Sequence, residues 1–111
     1  MAAVANYVID QGTTFSSAVT VKGSDGNPLD LTNYTASAKM ALGFTSTRTR
    51  TDITTTFDAD RTTGVITLSL TAAQTAALDA PARYVYDLDI TASDSTVTKI
   101  IEGLITVKPN V

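Results

Sequence analysis

Asp58 and Asp60 stand two residues apart in a polar stretch, with Asp52 close by. Alternating Asp in a turn is a donor pattern for a hard cation such as calcium, which takes oxygen ligands. The EF-hand signature needs further ligands and a Glu at its twelfth position, and these are missing. A solvated turn whose Asp side chains accept local hydrogen bonds is the simpler reading. Asp87 and Asp89 project from one face of an apolar-alternating segment. Paired carboxylates suit acid–base work; on an exposed strand they also keep a sheet soluble and discourage edge pairing. Arg48, Arg50 and Arg61 form the one basic cluster, with Phe44 nearby. It suits an acidic partner better than a nucleic acid, and scattered loop charge is the plainer alternative.

Composition narrows the chemistry further. The 111-residue chain has no Cys, His or Trp, 21 Thr, 8 Ser, ten Asp and a single Glu, Glu102. Hydroxyls are abundant, yet no His activates one as a nucleophile and no G-x-S-x-G occurs. Thiol chemistry, disulfides and Cys-type zinc sites are excluded. The glycines are isolated, so no phosphate-binding loop forms. A net charge of −3 suits neither a phosphate backbone nor an anionic surface. No apolar run approaches the roughly 20 residues that span a bilayer, and the first residues lack the basic and apolar regions of a signal peptide. A non-enzymatic protein without cofactors, made and folded in a cytoplasm, is expected.

The elements that position these residues are strands. Thr is β-branched and favours extended backbone. Phe15, Val19 and Val21 share one face of a first strand. Ser24-Asp25-Gly26-Asn27-Pro28 is a turn. Tyr34, Ala36, Ala38, Met40 and Leu42 alternate along a second strand, and Ile53, Thr55 and Phe57 along a third. Gly43 to Arg50 reads as a polar loop, and Asp58 to Gly64 as a turn. Ile66, Leu68 and Leu70 face inward on a fourth strand. Thr71 and Gln74 frame a short helix as a capping box, and Pro81 prevents its continuation. Tyr84, Tyr86, Leu88 and Ile90 line one face of the clearest strand. After a turn at Ser93-Asp94-Ser95, the last strand carries Val97, Ile101, Ile105 and Val107 on one face. Ile100, Glu102 and Leu104 lie on the other, an unusual apolar pair around a charge. About seven strands with frequent turns in one domain, residues 1–111, point to an all-β, immunoglobulin-like antiparallel β-sandwich with one short helical crossover.

Four segments add a resemblance. They are Asp25-Gly26-Asn27-Pro28-Leu29-Asp30-Leu31-Thr32-Asn33-Tyr34, Leu70 through Leu78, Arg83 through Ile90, and Glu102-Gly103-Leu104-Ile105-Thr106-Val107-Lys108-Pro109. Together they resemble a group of small virion-associated proteins of tailed bacteriophages, including those of cyanobacteria. That group is similar to the immunoglobulin-like N-terminal domain of lactococcal-type baseplate upper proteins. Baseplate upper proteins continue from this domain into a coiled coil and further domains, whereas the sequence here stops at Val111, and Ala41 to Asp60 shows no family motif.

The resemblance implies a structural virion protein. The leading expectation is a capsid decoration or cement protein, its partners the major capsid protein or tail and baseplate proteins, with homo-oligomerisation open and with no nucleic acid or membrane partner. A tail, neck or baseplate fibre adaptor is the alternative. A host-surface carbohydrate module using Tyr34, Phe44 and loop Asp residues is the third. Phe44, Arg48, Arg50, Ile100, Glu102 and Leu104 are the expected contact residues. In the competing reading, a loop or the N-terminal segment covers Ile100 and Leu104.

Overall fold

A computed structural model of the chain describes residues 3–42 and 50–109. The alternating stretches form strands because each can turn its apolar set to one side of a pleat. Eight result: β1 (Ala3–Val4), β2 (Tyr7–Asp10), β3 (Phe15–Thr20), β4 (Thr35–Ala41), β5 (Thr51–Phe57), β6 (Val65–Leu70), β7 (Ala82–Thr91) and β8 (Val97–Lys108). A 3-10 turn at Arg61–Thr63 and the helix α1 (Ala72–Ala76) complete the set.

The strands follow the order β1–β8–β7–β4–β5–β6–β3, with β2 continuing β1 beside β8. β5 belongs to both layers. Its residues Thr51, Asp52 and Ile53 pair with β4, whereas Thr54 to Phe57 pair with β6. One hydrogen-bonded sheet therefore folds over on itself, and the core lies between its two halves. Ile66, Leu68, Leu88, Ile105 and Val107 are all at most 1% exposed there. At the ends of the sheet, Tyr7 meets Phe15 edge-on with ring centroids 5.4 Å apart, and Ser17 Oγ donates to the Tyr7 hydroxyl at 3.0 Å. The fold is all-β and immunoglobulin-like. The Tyr84 hydroxyl near the start of β7 accepts from the Asp79 N–H at 2.9 Å, the tyrosine-corner contact of such sandwiches.

Three features depart from the expected antiparallel sandwich. β1 and β2 run parallel to β8, in the register Ala3 to Ile101 and Tyr7 to Ile105. The inward set of β4 stops at Met40: Leu42 is 37% exposed, and Ala41 beside it is buried. Val97 is 62% exposed and does not share a face with Ile101. A bulge is the cause. Leu88 faces Ile101, but the next residue, Asp89, faces Lys99, so Ile100 is an extra residue in β8. One extra residue reverses which side every earlier side chain takes.

The crossover helix is held from both ends. Gln74 N donates to Thr71 Oγ1 at 3.1 Å, and Thr71 N donates to Gln74 Oε1 at 2.8 Å, closing the capping box. Thr75 is fully buried. Its hydroxyl donates to Thr13 O at 2.7 Å and accepts from Gly12 N at 3.0 Å, tying α1 to the corner between β2 and β3. Thr75→Val keeps the shape but removes the partner of the half-buried Gly12 N–H and of the Thr13 carbonyl, and buries no hydroxyl to replace them. A loss of about 2–3 kcal/mol in a urea unfolding curve is expected.

Candidate protein interface

The outward face of the layer β8–β7–β4–β5 is built in rows by the strand register. Leu104, Val85 and Ala41 face one another across three strands. In the next row stand Glu102, Asp87, Lys39 and Asp52, and in the next Lys99, Asp89 and Ser37. An apolar row thus runs beside charged ones. Val85, Ala41, Lys39, Asp87, Lys99 and Glu102 from these rows line a concavity of about 320 Å³, together with Arg50.

The charges are largely matched. Lys39 Nζ lies 2.7 Å from Asp52, and Lys99 Nζ lies 3.8 Å from Asp87 and 3.5 Å from Glu102. All are well exposed, so each pair contributes little stability. With Arg50, three cations stand among the four carboxylates of Glu102, Asp87, Asp89 and Asp52, so the face keeps a small negative charge. Asp89 differs. Partial burial pushes its carboxyl above the usual range, Asp87 adds to the rise, and Lys99 opposes it. Such a group favours the folded state when protonated, and that contribution is lost as pH rises through its folded pKa. Asp89→Asn should therefore raise stability at pH 7. It should confer no advantage below about pH 4, where the carboxyl is protonated in both states. Paired urea titrations of both proteins at the two pH values measure this.

The expected contact residues separate in space. Glu102 and Leu104 lie on the outward face, Glu102 exposed and Leu104 half-buried. Arg50 is exposed beside them. Phe44 and Arg48 lie outside the described residues. Ile100 does not join this face: at the bulge it packs against the core cluster and lines a gap between the ends of the sheet, with Ala3, Val19 and Val21. The N-terminal segment lies beside β8 in the plane of the sheet, where Asn6 Oδ1 accepts from Leu104 N at 3.0 Å.

The expected basic cluster is also divided. Arg50 immediately precedes β5, whereas Arg61 follows its far end, stacks at 4.0 Å on the Phe57 ring and donates to Tyr34 O at 2.9 Å. Tyr34 itself is half-buried and packs against the core.

The turn carboxylates act locally. Asp60 Oδ1 accepts from both Thr62 N and Thr62 Oγ1, and Asp30 does the same with Thr32. Asp94 accepts from Thr96 N at 3.0 Å. These bonds hold all three carboxyls below the usual carboxylate range. Asp58 accepts from Thr63 Oγ1 at 3.0 Å. The recurring Asp-x-Thr at three turns was a signal open to the sequence, and it accounts for part of the Asp and Thr excess. Among the described residues, no three acidic side chains gather as a metal site would require.

No family model matches the chain, and no curated relative does. Among solved structures it is similar to an internalin-like protein of Listeria monocytogenes, at 17% identity and a TM-score of 0.46. That match takes in 98% of this chain and 28% of the Listeria chain.

Two features carried no expectation from the sequence. The first is the N-terminal pair of strands. The second is Gly103, over which residues Ala5 and Asn6 pass so closely that a Cβ there would overlap Ala5 O. The β-prone Tyr7-Val8-Ile9 run was the available signal for β2. Nothing local marks a glycine required by a distant segment.

Proposed function

We propose that this chain is a non-enzymatic structural protein of a bacteriophage particle, a decoration or cement module seated on the capsid. The observation that carries the reading is the outward face of β4, β7 and β8. There an apolar row of Leu104, Val85 and Ala41 adjoins charges that largely neutralise one another. Protein partners present each other an apolar core bordered by a polar rim, and here the apolar row takes the place of the core and the paired charges that of the rim. Both lysines of the concavity are engaged in ion pairs, with Asp52, Asp87 and Glu102. A single module binding weakly gains its hold through many copies on one lattice.

Cryo-electron microscopy of the intact particle tests the assignment directly. Density for this domain is expected at regular capsid positions, with Leu104 and Glu102 toward the lattice. Density confined to the tail would overturn the capsid location. It would favour a tail, neck or baseplate adaptor instead, a reading supported by the unpaired edge of β3.

A further inference from the structure

β3 ends the strand order: β6 lies on one side and, among the described residues, no strand lies on the other. Exposed edges are ordinarily protected by charge, proline or a bulge. β3 has none of these. Its six residues, Phe-Ser-Ser-Ala-Val-Thr, pair with β6 in an unbroken register. Backbone groups in an antiparallel ladder alternate in direction. Val21 N donates toward β6, to Gly64 O at 2.7 Å, so the groups of Ser16, Ala18 and Thr20 point to the open side. Beside this edge lies a largely apolar gap of about 330 Å³ between the two ends of the sheet, bordered by Ala3, Val19, Val21 and Ile100.

We infer that this edge receives a second copy of the same chain, two β3 strands running antiparallel about a two-fold axis at Ser17. Three observations select this occupant. Placing Ser17 opposite its own counterpart sets Phe15 of one copy opposite Val19 of the other, twice over. Aromatic and β-branched residues make favourable cross-strand pairs, and Phe15 arrives next to the apolar gap beside Val19. In the same register Ser16 and Ala18 exchange both backbone bonds through the outward-pointing set. Finally, no charge occurs from Gln11 to Val21, so two copies of a chain with net charge −3 meet there without like-charge opposition. A two-fold contact needs such a self-complementary patch. The inference stands independently of the virion reading, since it concerns only the isolated protein.

A six-residue ladder is short beside the roughly 1,200–2,000 Å² that stable interfaces bury, so the dimer is concentration-dependent. Sedimentation velocity from about 5 µM to about 1 mM should show the mass doubling within that range. The amides of Ser16, Ala18 and Thr20 should gain exchange protection over the same range. Ala18→Pro removes an outward N–H while leaving the β6 ladder intact. Ala18→Lys puts a charge on the exposed edge. Each should keep the chain monomeric at every concentration with an unchanged circular dichroism spectrum. A wild-type chain that stays monomeric throughout overturns the inference. So does a dimer that persists in folded Ala18→Lys with Ser16, Ala18 and Thr20 unprotected. Binding of a foreign extended peptide to β3 of a monomeric wild-type chain would overturn the second copy in favour of a partner strand.

Discussion

Tyr86→Ala destabilises the fold by about 3–5 kcal/mol in a urea or guanidinium unfolding curve, the range for removing a buried aromatic ring. Tyr86 is 4% exposed in the middle of β7 and belongs to the core cluster. Its ring lies 5.7 Å from that of Tyr7, and its hydroxyl donates to Ala5 O at 2.7 Å. One side chain thus joins the core, β2 and the turn between β1 and β2. Tyr86→Phe separates the two contributions: it keeps the ring and loses the hydrogen bond, for an expected loss of about 1 kcal/mol. Burial, reinforced by Tyr7, raises the hydroxyl's pKa well above its ordinary value. The folded state therefore keeps this proton after the unfolded chain has lost it, and stability declines as pH rises above about 10. The Phe variant should lack that part of the decline. A loss under about 1 kcal/mol for Tyr86→Ala would contradict the inward placement of the ring.

Gly103→Ala destabilises by about 3 kcal/mol and frees the N-terminal strands, although Ala is the smallest possible side chain. The added methyl would overlap the backbone of Ala5 and come within 2.9 Å of Asn6 Oδ1. Those neighbours cannot easily withdraw. Ala5 N donates to Glu102 O at 3.0 Å, Ala5 O accepts from Tyr86, and Asn6 accepts from Leu104 N. Hydrogen exchange should show lost protection in β1 and β2 with β6 and β7 retained. Unchanged protection in β2 would mean that the segment does not cross Gly103. The two substitutions act on one contact from opposite sides, so their effects should not add.

On β6 and β7, sequence and structure agree residue by residue. Ile66, Leu68 and Leu70 on β6, and Tyr84, Tyr86, Leu88 and Ile90 on β7, are all buried, as their spacing required. The same rule failed along β8 because it assumes a constant period, and the bulge at Ile100 adds a residue. Val97 therefore faces outward, and Ile100 leaves the face that holds Glu102 and Leu104. The candidate interface was half legible for this reason. Its β8 members, Glu102 and Leu104, came from strand parity beyond the bulge. Val85, Ala41 and Lys39 join them only through pairing between strands distant in the chain.

The sequence alone determined the strands from β3 to β8, the helix cap and the turns, because each depends on residues within a few positions: a period of two, Thr71 with Gln74, and Asp with the Thr two residues on. It also limited the available chemistry, since side chains that are absent cannot act. Tertiary structure decided the rest. It placed β1 and β2 parallel to β8, reversed the phase at Ile100, required Gly103 to be bare, and, among the described residues, gave β3 a strand on one side only. The first three depend on segments far apart in the chain sharing the same backbone hydrogen bonds or the same space, and no local pattern records which one prevails.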